Sequence, residues 1–169
     1  MTQQEAEREF FEKLGRAFRE WQLVEMQLFR VYARLVRCEE GAIAAAAFHA
    51  IAGFQNRLRA TNAAAMTANA LGTSSVDLVE WKRLHKLAVD QSATRNHFAH
   101  WTVYFRVNAI APPFGPFLGR SYYDPKHKSG EQHEVEDLVR SAESFESLAD
   151  AMRIFANSLP VPPGSPPLV

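Results

Sequence analysis

The sequence predicts an all-α domain: an antiparallel four-helix bundle with a short β-hairpin or extended excursion between helices three and four. Three observations carry this. Apolar residues recur at spacings of three and four along four long windows. Glycine, proline and hydroxyl residues punctuate the boundaries of those windows. A run rich in β-branched and aromatic residues follows His100 and interrupts the helical rhythm. A lone amphipathic helix gains most of its stability by burying its stripe, so four such stripes need one another.

The first window runs from about Glu5 to Cys38, where Leu14, Ala17, Trp21, Val24, Leu28, Val31, Leu35 and Cys38 form a bundle-type seam. The second, roughly Glu40 to Ala70, carries Ala44, Ala47, Ile51, Phe54 and Leu58 in the same rhythm, with Gly53 suited to close approach by a neighbour. Gly72 then stops the helix and Thr73-Ser74-Ser75 supplies an N-cap. The third helix follows from about Val76 to His100, with Asp77 and Glu80 near the positive end of its dipole.

Trp101–Val107 reads as a short strand. Pro112, Pro113, Gly115 and Pro116 punctuate what comes next, and Phe117–Tyr123 is where a second strand would fall. The last helix spans about Glu134 to Leu159, with Leu138, Phe145, Leu148, Met152, Phe155 and Leu159 in rhythm and Ser141 the sole miss. Proline cannot continue that helix, so residues 160–169 are expected to form an extended, disordered Pro-rich tail after a single domain over 1–159.

At 169 residues the chain suits one domain with a sizeable core. Cys38 is the only cysteine, so no intramolecular disulfide forms and a reducing, cytoplasmic setting is expected, with Cys38 as a packed apolar residue. Met1–Glu9 lacks the order of a signal peptide, and no stretch approaches the roughly 18 apolar residues of a spanning helix, so no membrane partner is expected. Nineteen basic residues balance nineteen acidic ones. That excludes the broad electrostatic attraction of a nucleic-acid coating protein and confines any nucleic-acid contact to a local site.

The third helix breaks its own pattern. After Trp81, Leu84, Leu87 and Ala88 the seam positions become Gln91, Thr94 and Arg95, and only then Phe98 and Trp101. Burying unpaired amide or guanidinium groups costs several kcal/mol, so this stretch pairs internally, faces a cleft, or sits at a wet subunit contact. Asn96 and His100, four apart, share a helix face, whereas Arg95 lies about 140° round from His100. The plain structural alternative is an arginine paired with a first-helix carboxylate and a histidine satisfied at a helix C-terminus. Glu25, beside Trp21, Val24 and Leu28, reads as a charge flanking the core, with pairing to Arg57 or Arg95 the other possibility.

Arg95-Asn96-His97-Phe98-Ala99-His100 resembles the signature of the HEPN superfamily: an arginine late in the third helix, a following Asn, Asp or His, and a histidine four to six residues after the arginine. The four-helix layout is also similar to that family over about Glu5 to Leu159. Many members continue with His-x-Tyr or His-Gly, whereas Trp101 and Thr102 follow His100 here. The resemblance implies metal-independent RNA cleavage at a cleft between two protomers, often by a toxin held silent by an antitoxin protein. It also implies that Arg95 clamps the scissile phosphate and that His100 serves as general base or acid. Asn96 would orient the imidazole or touch the phosphate. His97 would assist substrate binding, although from its position a solvent-facing histidine is the simpler expectation. A two-fold interface would let His100 of one chain meet Arg95 of the other.

Two rivals stand beside this. A metal site is the first, since helical bundles often host His and carboxylate ligands. No Glu-x-x-His pair precedes His85, His97 or His100, and His49, His85, His127 and His133 are scattered, so no metal and no cofactor are expected. The second rival is a non-catalytic HEPN-like binding or dimerisation module in which Arg95, Asn96 and His100 staple an interface. Phe10, Phe11, Phe18 and Trp21 read as core or dimer surface rather than base-stacking platforms.

Overall fold

The structure is a computed structural model that describes residues 2–38, 40–73, 75–106, 115–121 and 132–161. Its order is α1 (Gln3–Val36), α2 (Gly41–Ala50), α3 (Phe54–Ala70), α4 (Leu78–His100), β1 (Thr102–Phe105), β2 (Pro116–Gly119), β3 (Gln132–His133) and α5 (Val135–Ser158). The all-helical class holds, but the described residues form five helices where four were expected.

Thr2 and Glu5 open α1 with a capping box, in which the Thr2 hydroxyl accepts from the Glu5 amide and the Glu5 carboxylate accepts from the Thr2 amide. Ala17, Trp21, Val24, Leu28, Val31 and Leu35 are buried as their spacing predicts, and Leu14 is half-buried. Cys38 is not core. It stays half-buried and its thiol donates to the Glu40 carbonyl at 3.2 Å.

The predicted second helix is broken at Ile51–Gly53. Gly53 has φ +74°, a region that L side chains rarely adopt, and a Cβ built there would meet nothing within 4 Å. The glycine therefore makes a turn and not a close approach. The alanine run before it fixes no register, because methyl groups stabilise a helix equally on any face. Burial falls on Ala44 and Phe48 in α2, with Ala47 exposed and Ile51 half-buried, and on Leu58, Thr61, Ala65 and Ala68 in α3. Arg57 bridges the break: its Nε donates to the Ile51 carbonyl at 3.0 Å and its guanidinium lies 5.6 Å from the Phe48 ring centre.

Gly72 ends α3 at φ +63°, as expected. The N-cap of α4 is Asp77 and not the preceding hydroxyl run: its carboxylate accepts from the amides of Val79 and Glu80, both at 3.0 Å. Ser74 lies outside the described residues.

The four long helices α1, α3, α4 and α5 close a ring of neighbouring contacts, with the most extensive between α1 and α5 and with α2 laid against α1. Their buried residues, with Leu118 of β2, form one hydrophobic cluster. Trp21 meets Phe145 edge-on at 5.1 Å, and Trp81 stacks on Phe155 at 5.6 Å. All six apolar positions predicted for the last helix are buried, and Ala142 fills the core slot that Ser141 misses.

β1 and β2 pair antiparallel from Thr102↔Gly119 to Phe105↔Pro116. The sheet has a third strand that the sequence reading did not anticipate, with Leu118 facing His133. Pro116 is tolerated because it is the first residue of its strand. Val107, Pro112, Pro113, Tyr122, Tyr123 and the tail from Pro162 onward lie outside the described residues. No described helix is long and apolar enough to cross a membrane.

Candidate functional site

The polar stretch of α4 ends up on two different surfaces. Arg95 and Asn96 line a cavity of about 400 Å³ bounded by α1, α3 and α4, together with Trp21, Glu25, Arg57 and Ser92. The Arg95 side chain retains 32% of its exposure. Its Nη1 donates to Asn96 Oδ1 at 3.3 Å, while its buried Nε–H finds no acceptor among the described residues. An orphaned buried donor costs about 1–3 kcal/mol.

The core register of α4 passes through Ser92, four residues on from Ala88, and not through Gln91. Ser92 is buried at 3% exposure; its hydroxyl donates to the Val89 carbonyl at 2.7 Å and accepts from Gln55 Nε2 at 2.5 Å. That bond ties the start of α3 to α4 at the edge of the cavity.

Glu25 is more than a flanking charge. Its carboxylate accepts from Trp21 Nε1 at 2.8 Å and from Arg57 Nη1 at 3.3 Å, while Arg95 Nη2 stays 3.9 Å away. Arg57 is thus the primary partner and Arg95 a Coulombic neighbour beyond hydrogen-bond reach. The signal for Glu25 was present in its four-residue spacing from Trp21, which places an indole N–H and a carboxylate on one helical face. Arg57 was one of the two partners the sequence offered for Glu25, but choosing it over Arg95 depends on the break before α3, which the periodicity does not show.

His100 is the last residue of α4, exposed, and makes no hydrogen bond among the described residues. It does not line the cavity. Five helical steps of about 100° separate it from Arg95, so the rotation of about 140° stands and one chain does not bring the two side chains together.

His97 departs from expectation more sharply. Rather than facing solvent it is half-buried, stacked on Trp101 with ring centres 4.2 Å apart, and its Nδ1 lies 3.2 Å from Nε2 of His133. His133 also stacks on Trp101 at 4.9 Å and receives the edge of Phe98 at 5.3 Å. Sequence reasoning missed His133 because its strand was not foreseen.

Away from the cavity, His85 has its pKa lowered by partial burial near Trp81. Among the described residues no three His, Cys, Asp or Glu side chains gather closely enough to hold a metal ion. Compared with protein-family models, curated proteins and solved structures, the chain matches none.

Proposed function

We propose that the protein is a HEPN-like, metal-independent endoribonuclease that works as a homodimer in the cytoplasm, with Arg95 and His100 contributed across a cleft between two copies. The single observation that carries this reading is the state of Arg95. Its side chain keeps 32% of its exposure at the rim of a polar cavity and its buried Nε–H has no acceptor among the described residues, while His100 stands exposed on the same helix and makes no hydrogen bond among the described residues. Read this way, α1, α3, α4 and α5 are the four-helix bundle of that superfamily and α2 is a short addition to it.

The chemistry needs no metal, because the nucleophile is the RNA's own 2′-hydroxyl. His100 takes its proton as the 2′-oxygen attacks the adjacent phosphorus. The bond from phosphorus to the 5′-oxygen breaks, leaving a 2′,3′-cyclic phosphate, and the departing oxygen takes a proton from water. Arg95 offsets the charge that builds on the phosphorane, and Asn96, bonded to Arg95, holds the guanidinium's approach. His97 enters as a residue that shapes the helix end through His133, outside the reacting atoms.

One observation favours a second reading, a non-catalytic HEPN-like binding or dimerisation module. Glu25 lies 3.9 Å from Arg95 and partly neutralises it, as a structural arginine requires. Cleavage of single-stranded RNA in EDTA separates the two. The nuclease reading expects activity in EDTA that falls about 10²–10⁴-fold in both Arg95→Ala and His100→Ala. A folded dimer that leaves varied RNA intact establishes the module instead. Growth arrest on expression, relieved by the same substitutions, would identify a toxin and so imply an antitoxin protein as its partner.

A further inference from the structure

We infer that the cavity between α1, α3 and α4 is a seat for one phosphodiester-linked nucleotide, held at its phosphate by Arg95 with Arg57 behind it and at its base by α3. The inference rests on the ribonuclease reading for calling that ligand RNA, and it names the part of the proposed cleft that one chain supplies: the phosphate on Arg95 is the scissile one, and the nucleotide attached to it sits against α3.

Charge selects the ligand class. Arg57 and Arg95 bring two positive charges to the cavity and Glu25 one negative charge, which leaves a surplus of one. Glu25 is already committed, since Trp21 Nε1 and Arg57 Nη1 hold its two oxygens. It is therefore held 3.9 Å from Arg95 Nη2, beyond hydrogen-bond reach, and that Nη2 makes no hydrogen bond among the described residues. A phosphodiester carries one negative charge and balances that surplus, whereas a phosphomonoester dianion overshoots it. The guanidinium presents parallel N–H groups that match two phosphate oxygens.

Size and lining select the rest. A cavity of about 400 Å³ lies within the roughly 300–1,000 Å³ that small-molecule sites span, and it exceeds what a bare phosphate fills. Phe54 gives it an apolar wall, while Gln55, Asn56 and Asn96 give it amide groups. Gln55 uses Nε2 on Ser92 and Asn96 uses Oδ1 on Arg95, so Gln55 Oε1 and Asn96 Nδ2 make no hydrogen bond among the described residues. One acceptor and one donor beside an apolar wall suit the polar edge and flat face of a nucleobase.

Calorimetric titration of the full chain tests this with three probes: a 2′-deoxy dinucleotide monophosphate, inorganic phosphate, and an unphosphorylated nucleoside. The dinucleotide has one phosphodiester and lacks the hydroxyl needed for its own cleavage, so binding is read apart from catalysis. It is expected to bind once per chain, at least tenfold more tightly than phosphate or nucleoside. Asn56→Trp fills the cavity from an exposed position outside the proposed cleavage machinery and should weaken binding tenfold or more in a chain that still melts cooperatively, its exposed bond to the Ala52 carbonyl being the only strong one lost. Arg95→Ala should abolish binding.

No saturable dinucleotide binding, or binding that both variants leave unaltered, overturns the inference. Wild type that cuts RNA in EDTA yet binds no dinucleotide sinks the seat and leaves the ribonuclease reading intact. Wild type that binds the dinucleotide, loses it on Asn56→Trp and cuts no RNA supports the seat and removes the ribonuclease reading.

Discussion

Nδ1 of His97 and Nε2 of His133 stand 3.2 Å apart while their ring centres are 5.5 Å apart, so both nitrogens lie close to the line joining the rings. That is the geometry of a hydrogen bond between two imidazoles, one donating and the other accepting. It fastens β3 to the last turn of α4, the turn that ends in His100, and Trp101 covers both rings.

A double-mutant cycle measures that fastening. His97→Ala and His133→Ala are each expected to cost about 1–2 kcal/mol in urea unfolding, with a coupling between them of about 1 kcal/mol. Additivity of the two within about 0.3 kcal/mol would show that the rings act independently.

Glu25 governs the other wall of the site. Glu25→Ala leaves the Trp21 indole N–H and Arg57 Nη1 without their acceptor in a half-buried setting, while Arg57 Nε keeps the Ile51 carbonyl. A loss of about 1–3 kcal/mol in urea unfolding is expected. A variant as stable as wild type would mean that solvent replaces the carboxylate at no cost, and Glu25 would not then organise the cavity.

His85 sets a pH dependence whose sign follows from its burial. Its folded-state pKa is lowered, so between that value and the ordinary histidine value of about 6.5 the unfolded chain binds more protons. Stability therefore falls as pH drops through that window and is fully present above it. Urea midpoints at about pH 7.5 and about pH 5 should differ less in His85→Gln than in wild type. An identical difference in both would remove His85 as a source of the slope.

The helical class was legible because α1 and α5 repeat large apolar residues at three and four spacings, and a large side chain on one face admits one register only. α2 and α3 were misread as one helix because alanine satisfies any register and a lone glycine reads equally as a contact or a turn; only φ +74° at Gly53 decides. The cap of α4 went to Asp77 because its carboxylate is placed to accept from two first-turn amides, those of Val79 and Glu80.

At the site, Arg95 was legible as a polar residue in a core rhythm and Asn96 as its neighbour in the Arg-Asn-His-Phe-Ala-His run, and both line the cavity. The placement of Arg57, named only as one possible partner of Glu25, and the pairing of His133 with His97 were not, since each depends on a local feature with no periodic signature: a helix break in one case, a two-residue strand in the other. The same limit kept His97 from being read correctly, because its partner lies 36 residues away on a strand that the sequence reading did not anticipate.

The central claim is that Arg95 and His100 act together across two copies of the chain, and subunit mixing tests it most directly. Arg95→Ala and His100→Ala chains, each inactive alone, are unfolded together, refolded as a mixture and assayed on single-stranded RNA in EDTA. In a two-fold dimer each mixed pair rebuilds one intact site of its two, and half of the dimers are mixed, so about one quarter of wild-type activity should return. A mixture that forms dimers yet stays as inactive as its components would contradict the shared site.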